Sequence, residues 1–191
     1  MVFLGRMTTE ANDMWVFGYG SLLWNPGFPV AETLRAELTG YARSFCMRSI
    51  HHRGTPEDPG LVLALDAQPG ATCHGLALRV APGHEAPTLD YLRERELVSS
   101  AYLERTLPVR LETGTVTQAL VYVIDAAHDQ YCGGLPLEEQ ARIIAQAVGG
   151  RGPNTEYLWN TTRGLHAHQI PDDQLDWLDA RVRELTGTAP A

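Results

Sequence analysis

The chain has 191 residues, 44% of them hydrophobic and 20% charged, a length and balance that suit one domain with a sizeable core and exclude a largely disordered chain. Its formal net charge of −8, with arginines scattered among acids, argues against a nucleic-acid surface, which needs clustered cations. Cys46, Cys73 and Cys132 lie far apart with no C-x-x-C pair, so neither a zinc knuckle nor a disulfide framework is indicated, and a reducing compartment fits.

Residues 1–13 turn polar after Val2, Phe3 and Leu4, too short an apolar run for a signal peptide or a membrane span. They are predicted to be a flexible leader without chemistry, ahead of a single domain over 14–187 in a cytoplasmic protein with no membrane partner. Met14, Trp15, Val16 and Phe17 form a short apolar run expected to be a strand buried on both faces. Gly18, Tyr19, Gly20 and Ser21 then break the pattern. Two glycines around a tyrosine allow a turn whose N–H groups converge on a carboxylate or a developing oxyanion. The same spacing also describes a tight connection whose glycines serve only the backbone. No third glycine opens a helix here and the segment has no lysine, so the dinucleotide fingerprint and the P-loop are both excluded.

Further along, residues 34–50 read as two extended pieces about Gly40, with Phe45 and Met47 on one face. The segment from His51 to Gly60 holds two prolines and two glycines in ten residues and reads as a loop long enough to cover a site. Strands are expected at 61–65 and 73–80, the second with His74, Leu76, Leu78 and Val80 on one side, joined by a turn at Gln68, Pro69 and Gly70. A helix follows from about Thr88 to Leu97, then a hairpin with strands near 103–111 and 119–124. The last third reads as three helices, over 136–148, 153–168 and 171–185, each starting near a proline. Short turns between strands favour an α+β fold, a small and mostly antiparallel β-barrel or sheet with peripheral helices, over a doubly wound parallel sheet.

Among the acids of the mid-chain helix, Glu96 lies seven residues after Leu89 and four after Leu92, on the face that must pack inward, whereas Glu94 points elsewhere. An inward carboxylate facing a pocket has its pKa raised toward the range useful for a general base. The alternative is an ion pair with Arg93, Arg79 or another arginine at the helix end. The histidine pairs His51/His52 and His166/His168 have poor spacing for one helix face, and no His-Glu-x-x-His set occurs, so no metal site is expected. Ser21 lacks a G-x-S-x-G context and is expected to supply hydrogen bonds, not to act as a nucleophile. In RGPNTEYLWN, Asn154 or Thr155 can cap the helix that follows Pro153, and Tyr157 either packs in the core or presents its hydroxyl to a site.

Four segments in order, VFGYGSLLWNP (16–26), RGTPEDPG (53–60), RELVSSAY (95–102) and GPNTEYL (152–158), resemble the ChaC-type γ-glutamylcyclotransferases, enzymes that act on glutathione. The resemblance spans about residues 14–185. It implies an α+β fold around a small β-barrel, no metal or organic cofactor, and a glutamate base in the RE motif, here Glu96. It also implies that the turn holding Tyr19, Gly20, Ser21 and Leu22, with Val16, Phe17 and Gly18 before it, binds the γ-glutamyl part of the substrate, and that Arg53 and Tyr157 contribute contacts. Two other readings stay open: a cyclotransferase for other γ-glutamyl amines or amino acids, and a non-catalytic γ-glutamyl-binding protein.

Overall fold

The structure is a computed structural model that describes residues 13–98 and 100–189. The leader expected over 1–13 therefore lies, apart from Asp13, outside the described residues. Strand β1 (Trp15–Gly18) is followed by a 3-10 turn (Ser21–Leu23), β2 (Val30–Ser49), β3 (Gly60–Val80) and helix α1 (Glu85–Glu96). The hairpin β4 (Tyr102–Leu111) and β5 (Val116–Ile124) comes next, then α2 (Leu137–Gln146) and the short strands β6 (Val148–Gly149) and β7 (Gly152–Pro153). Helices α3 (Asn154–Ala167) and α4 (Asp173–Thr186) complete the described chain.

The first five strands close into a barrel in the order β1-β3-β2-β4-β5, as an α+β reading requires. Neighbours are antiparallel except at the closure, where β1 runs parallel to β5 with Trp15 opposite Ala119. All four β1 residues are buried because β1 is hydrogen-bonded on both edges and covered on both faces. Val16, Phe17, Leu61, Leu63, Leu65, Leu76, Leu78 and Val121 are at most 2% exposed in the core, and each such side chain contributes ~1.5–3 kcal/mol by burial. Helices α2, α3 and α4 pack on one another, and α3 also lies against β3 and the 3-10 turn. No helix among the described residues is long and apolar enough to cross a membrane.

The pieces expected on either side of Gly40 are one strand, and so are those on either side of Pro69. Along the β2/β3 hairpin the register passes from Thr39↔Thr72 to Tyr41↔Ala67, so residues 68–71 bulge out opposite Gly40, and Gly40 and Gly70 sit at φ +88° and +85°. The turn residues are thus spent on a bulge inside a continuous ladder. Further shifts between Val30 and Glu32 and between Ser44 and Met47 bend the hairpin enough for a five-stranded sheet to close. His74 is exposed beside Glu37 and Cys73 is buried, at the end of a segment whose Leu76, Leu78 and Val80 lie in the core. The mid-chain helix starts earlier than expected, at Glu85, because Pro87 falls in its first turn, where a missing N–H costs nothing. Asp172 caps α4 by accepting from the Leu175 N–H at 3.1 Å.

Candidate active site

A cavity of about 330 Å³ opens where the end of β1, the end of β2 and the C-terminal turn of α1 meet the start of α3. Its lining includes Ser21, Met47, His51, His52, Arg53, Arg95, Glu96, Tyr102, Arg151 and Tyr157. A narrower recess of about 30 Å³ shares Ser21, Glu96, Tyr102 and Tyr157 with it and adds Phe17, Tyr19, Gly20, Leu22, Leu63 and Tyr122. The site therefore has a tight inner end built on the Tyr19–Leu22 segment and a wide outer end.

At the inner end the chain leaves β1 and winds into the 3-10 turn, whose internal bonds begin with the Leu23 N–H donating to the Gly20 carbonyl at 3.0 Å. The N–H groups at the start of such a turn have no partner within it, as at any helix start. Gly20 sits tightly: a Cβ there would lie 3.2 Å from the Tyr157 hydroxyl and against Leu63, crowding the hydroxyl that faces the site. Arg95 fixes the turn to α1. Its guanidinium donates to the Ser21 hydroxyl at 2.6 Å and to the carbonyls of Asn25 and Pro26 at 2.6 and 3.1 Å, and its Nε lies 3.3 Å from Glu96 Oε1.

Glu96 presents its carboxylate to this space with its side chain only 16% exposed, while Glu94, as expected, is exposed. Burial raises the Glu96 pKa, and the positive charges of Arg95 and Arg151 pull against it without cancelling the effect. The expected ion-pair alternative is thus partly realised, with Arg95 as the arginine at the helix end, and the carboxyl still sits above the ordinary range. A folded-state pKa above the unfolded value means a contribution present at low pH and lost as pH rises through the folded pKa. Ionised Glu96 therefore weakens the fold at neutral pH. Glu96→Gln is expected to match or exceed the wild-type melting temperature at pH 7, with any gain shrinking toward pH 4, in parallel calorimetric scans. A lower melting temperature for the variant at pH 7 would assign Glu96 to a structural ion pair.

Three tyrosines surround the carboxylate, and their hydroxyls are used differently. Tyr19 donates to the Tyr122 carbonyl at 2.8 Å and Tyr102 donates to the Leu63 carbonyl at 2.9 Å. Tyr157 accepts from the Leu63 N–H at 3.2 Å, so its own proton remains available to a molecule in the cavity. Burial keeps all three phenols protonated by pushing their pKa values up. Tyr157 satisfies both sequence alternatives at once: it packs edge-on to Phe45 and also lines the site.

Asn154, expected as a possible cap, does something else. Fully buried, its amide accepts from the Leu61 N–H at 2.7 Å and donates to the Leu61 carbonyl at 2.8 Å, standing in for a neighbouring strand and pinning α3 to β3. Arg53 is 6% exposed, donates to the Pro153 carbonyl at 3.0 Å, approaches Glu156 at 3.5 Å and lies over the Tyr157 ring. The segment from His51 to Gly60 is not a simple cover. Its first three residues form the cavity wall, and the rest folds on itself through the Thr55 N–H to Asp58 carbonyl bond at 3.0 Å.

A Cβ at Gly60 would overlap the backbone carbonyl of Arg53 and lie 2.7 Å from Asn154 Oδ1. Because backbone cannot move aside as a flexible side chain can, Gly60→Ala is expected to destabilise by about 3 kcal/mol, the upper part of the overpacking range. In a thermal melt that corresponds to a fall of roughly 6–12 °C. An unchanged melt would show that the loop yields.

The structure thus brings together Phe17, Tyr19, Gly20, Ser21, Leu22, Arg53, Glu96 and Tyr157 from the expected set. Val16 and Gly18 line neither space: Val16 is sealed in the barrel, and Gly18 pairs with Leu76 and abuts Leu22. Both precede the turn that lines the recess and set its position. Sequence reasoning missed Arg95, Tyr102 and Arg151, although Arg95 and Tyr102 bound the RELVSSAY segment it singled out. No group of three or more His, Cys, Asp or Glu suited to a metal ion occurs among the described residues.

Residues 14–185 match the profile of the ChaC-like protein family. A glutathione-specific γ-glutamylcyclotransferase of Escherichia coli (strain K12) is 34% identical over 176 residues, spanning 92% of this chain and 75% of that protein. γ-Glutamylcyclotransferase 2-1 of Arabidopsis thaliana is 40% identical over 178 residues, spanning 90% of this chain and 82% of that protein. The crystal structure of a yeast γ-glutamyl cyclotransferase specific to glutathione matches with a TM-score of 0.80 over 91% of this chain and 99% of that one, at 24% identity, a likeness of fold. With the family profile covering the barrel, α1 and the three C-terminal helices, the chain belongs to the ChaC-like protein family.

Proposed function

We infer that the chain is a γ-glutamylcyclotransferase that degrades glutathione to 5-oxoproline and cysteinylglycine, with Glu96 as general base. The observation that carries the mechanism is a buried carboxyl of raised pKa facing the recess formed by Gly20, Ser21 and Leu22. The relatives' names support the substrate.

In glutathione the α-amine and the γ-carbonyl belong to the same residue. At neutral pH the amine is mostly an ammonium and cannot attack. Glu96 takes one proton from it, and the amine nitrogen adds to the γ-carbonyl carbon, forming the C–N bond of a five-membered ring. The bond to the cysteinyl nitrogen then breaks as Glu96 returns that proton to the leaving amine, and the second proton of the ring nitrogen follows it, which leaves a neutral lactam and the ammonium form of cysteinylglycine. No water enters the balance. Because the attack is intramolecular, holding the γ-glutamyl chain folded can supply much of the ~7–11 kcal/mol that proximity provides in favourable cases. The free N–H groups at the start of the 3-10 turn and the Tyr157 hydroxyl are suited to the substrate carboxylate and the carbonyl oxygen.

The three cysteines are free, in keeping with a cytoplasmic, reducing setting. The experiment is incubation of the purified protein with glutathione and mass spectrometry for both products. Binding without product would support a non-catalytic γ-glutamyl receptor. Turnover of other γ-glutamyl amines at equal efficiency would widen the substrate class.

A further inference from the structure

Three arginines line the wide cavity, in a protein of net charge −8, and two of them are already committed. Arg95 is held by Ser21, Asn25, Pro26, Tyr91 and Glu96. Arg53 is buried against the Pro153 carbonyl, Glu156 and the Tyr157 ring. Arg151 differs: its guanidinium makes no hydrogen bond or ion pair among the described residues. Its backbone is nonetheless fixed. Its N–H donates to the His52 carbonyl at 2.9 Å, the Gly150 N–H donates to the His51 carbonyl at 2.8 Å, and β6 and β7 pair on either side of it.

Position adds a second argument. Arg151 lines the wide cavity but not the recess, whereas Glu96 lines both. Its charge favours ionised Glu96 against the larger effect of burial, and burial together with that charge holds the His52 pKa below its ordinary value. Arg151 is thus the one arginine of the cavity lining whose guanidinium has no partner among the described residues. A γ-glutamyl group with its amine at Glu96 and its α-carbon end in the recess must send the rest of the tripeptide into the wide cavity. Two extended residues reach about 7 Å, and the chain ends in a carboxylate.

We propose that Arg151 receives the terminal glycine carboxylate of glutathione and makes this chain select γ-glutamyl peptides that end in a free carboxylate. The proposal rests on the cyclotransferase reading for the direction in which the substrate lies. A guanidinium meets a carboxylate with two parallel N–H donors, and a hydrogen bond to a charged group is stronger than one between neutral partners. Converting that terminal carboxylate to the neutral primary amide removes the charge while hardly changing shape.

The test compares glutathione with its glycine-amide analogue on the wild type, Arg151→Gln and Arg151→Lys, by 5-oxoproline yield and by calorimetric binding. The wild type is expected to prefer the carboxylate by roughly threefold to tenfold, between what an exposed ion pair and a hydrogen bond to a charged group contribute. Arg151→Gln should bring that ratio close to one, acting through KM, and Arg151→Lys should keep part of it. Raised salt should shrink the wild-type preference by screening. Product formation with no preference, or a preference that survives Arg151→Gln, overturns the anchor and leaves the enzyme reading standing. An affinity preference abolished by Arg151→Gln, with no 5-oxoproline from the wild type, overturns the cyclotransferase reading and leaves the anchor standing. Equal loss on both ligands overturns carboxylate recognition and assigns Arg151 to the field around Glu96.

Discussion

Glu96→Gln is expected to fold, to bind glutathione with little change, and to lose at least ~10² in kcat, the effect typical of removing a general base. The amide keeps the shape of the acid and can still meet Arg95, so the network that ties α1 to the 3-10 turn survives. What it cannot do is accept the ammonium proton. Glu94→Gln, on the exposed face of α1, is the matched control, and its turnover should equal the wild type. The wild-type rate should also fall on the acid side at a pH above the ordinary carboxylate range, because protonating Glu96 removes the base and burial has moved that titration upward. Loss of activity in Glu94→Gln with activity retained in Glu96→Gln would reverse the assignment. An acid limb in the ordinary carboxylate range would contradict the buried environment.

How Glu96 was found shows what this sequence makes legible. Helical spacing from Leu92, fully buried, identifies the inward face without any knowledge of the barrel. The helices of the last third are readable for the same reason, since local punctuation and period specify them: Pro136 and Pro153 stand just before α2 and α3, and Pro171 lies two residues before α4. The β2/β3 hairpin is not readable in this way. Gly40 and the Pro69–Gly70 pair look like ends of strands, and only pairing across the sheet makes them bulges within one long ladder. Arg95 was equally hidden. Beside Glu96 in sequence it looks like a surface charge on α1, and its meaning comes from the carbonyls of Asn25 and Pro26, about 70 residues away, which a local pattern cannot encode. Asn154 reads as a cap in the sequence and mimics a strand in the fold, because the two roles use the same amide and differ only in what lies opposite. Val16 and Gly18 were legible as buried strand residues, but that they line neither space depends on how the sheet closes around them.

N-Acetylglutathione is expected to yield no 5-oxoproline, nor any other cyclised product, even at concentrations that saturate the enzyme with glutathione. The acetyl group leaves the γ-carbonyl, the thiol and both carboxylates in place, so every polar anchor discussed above except the ammonium is preserved. It removes the nucleophile, since an amide nitrogen has its lone pair tied up in resonance and does not present an acidic ammonium proton for Glu96 to take. The recess is also narrow, about 30 Å³, and walled by Tyr19, Leu63 and Tyr157, which leaves little room for an added acyl group. Chemistry and sterics predict the same inactivity, so a second compound separates them. The γ-glutamyl analogue carrying a hydroxyl in place of the α-amine fits the same space, lacks the acetyl group and has no amine to close the lactam. It should bind, compete with glutathione and release no 5-oxoproline. Formation of 5-oxoproline from the N-acetyl compound without prior loss of its acetyl group would exclude intramolecular attack by a free α-amine. Release of cysteinylglycine together with free glutamate, and no 5-oxoproline, from glutathione itself would replace ring closure by hydrolysis and move Glu96 from amine activation to water activation.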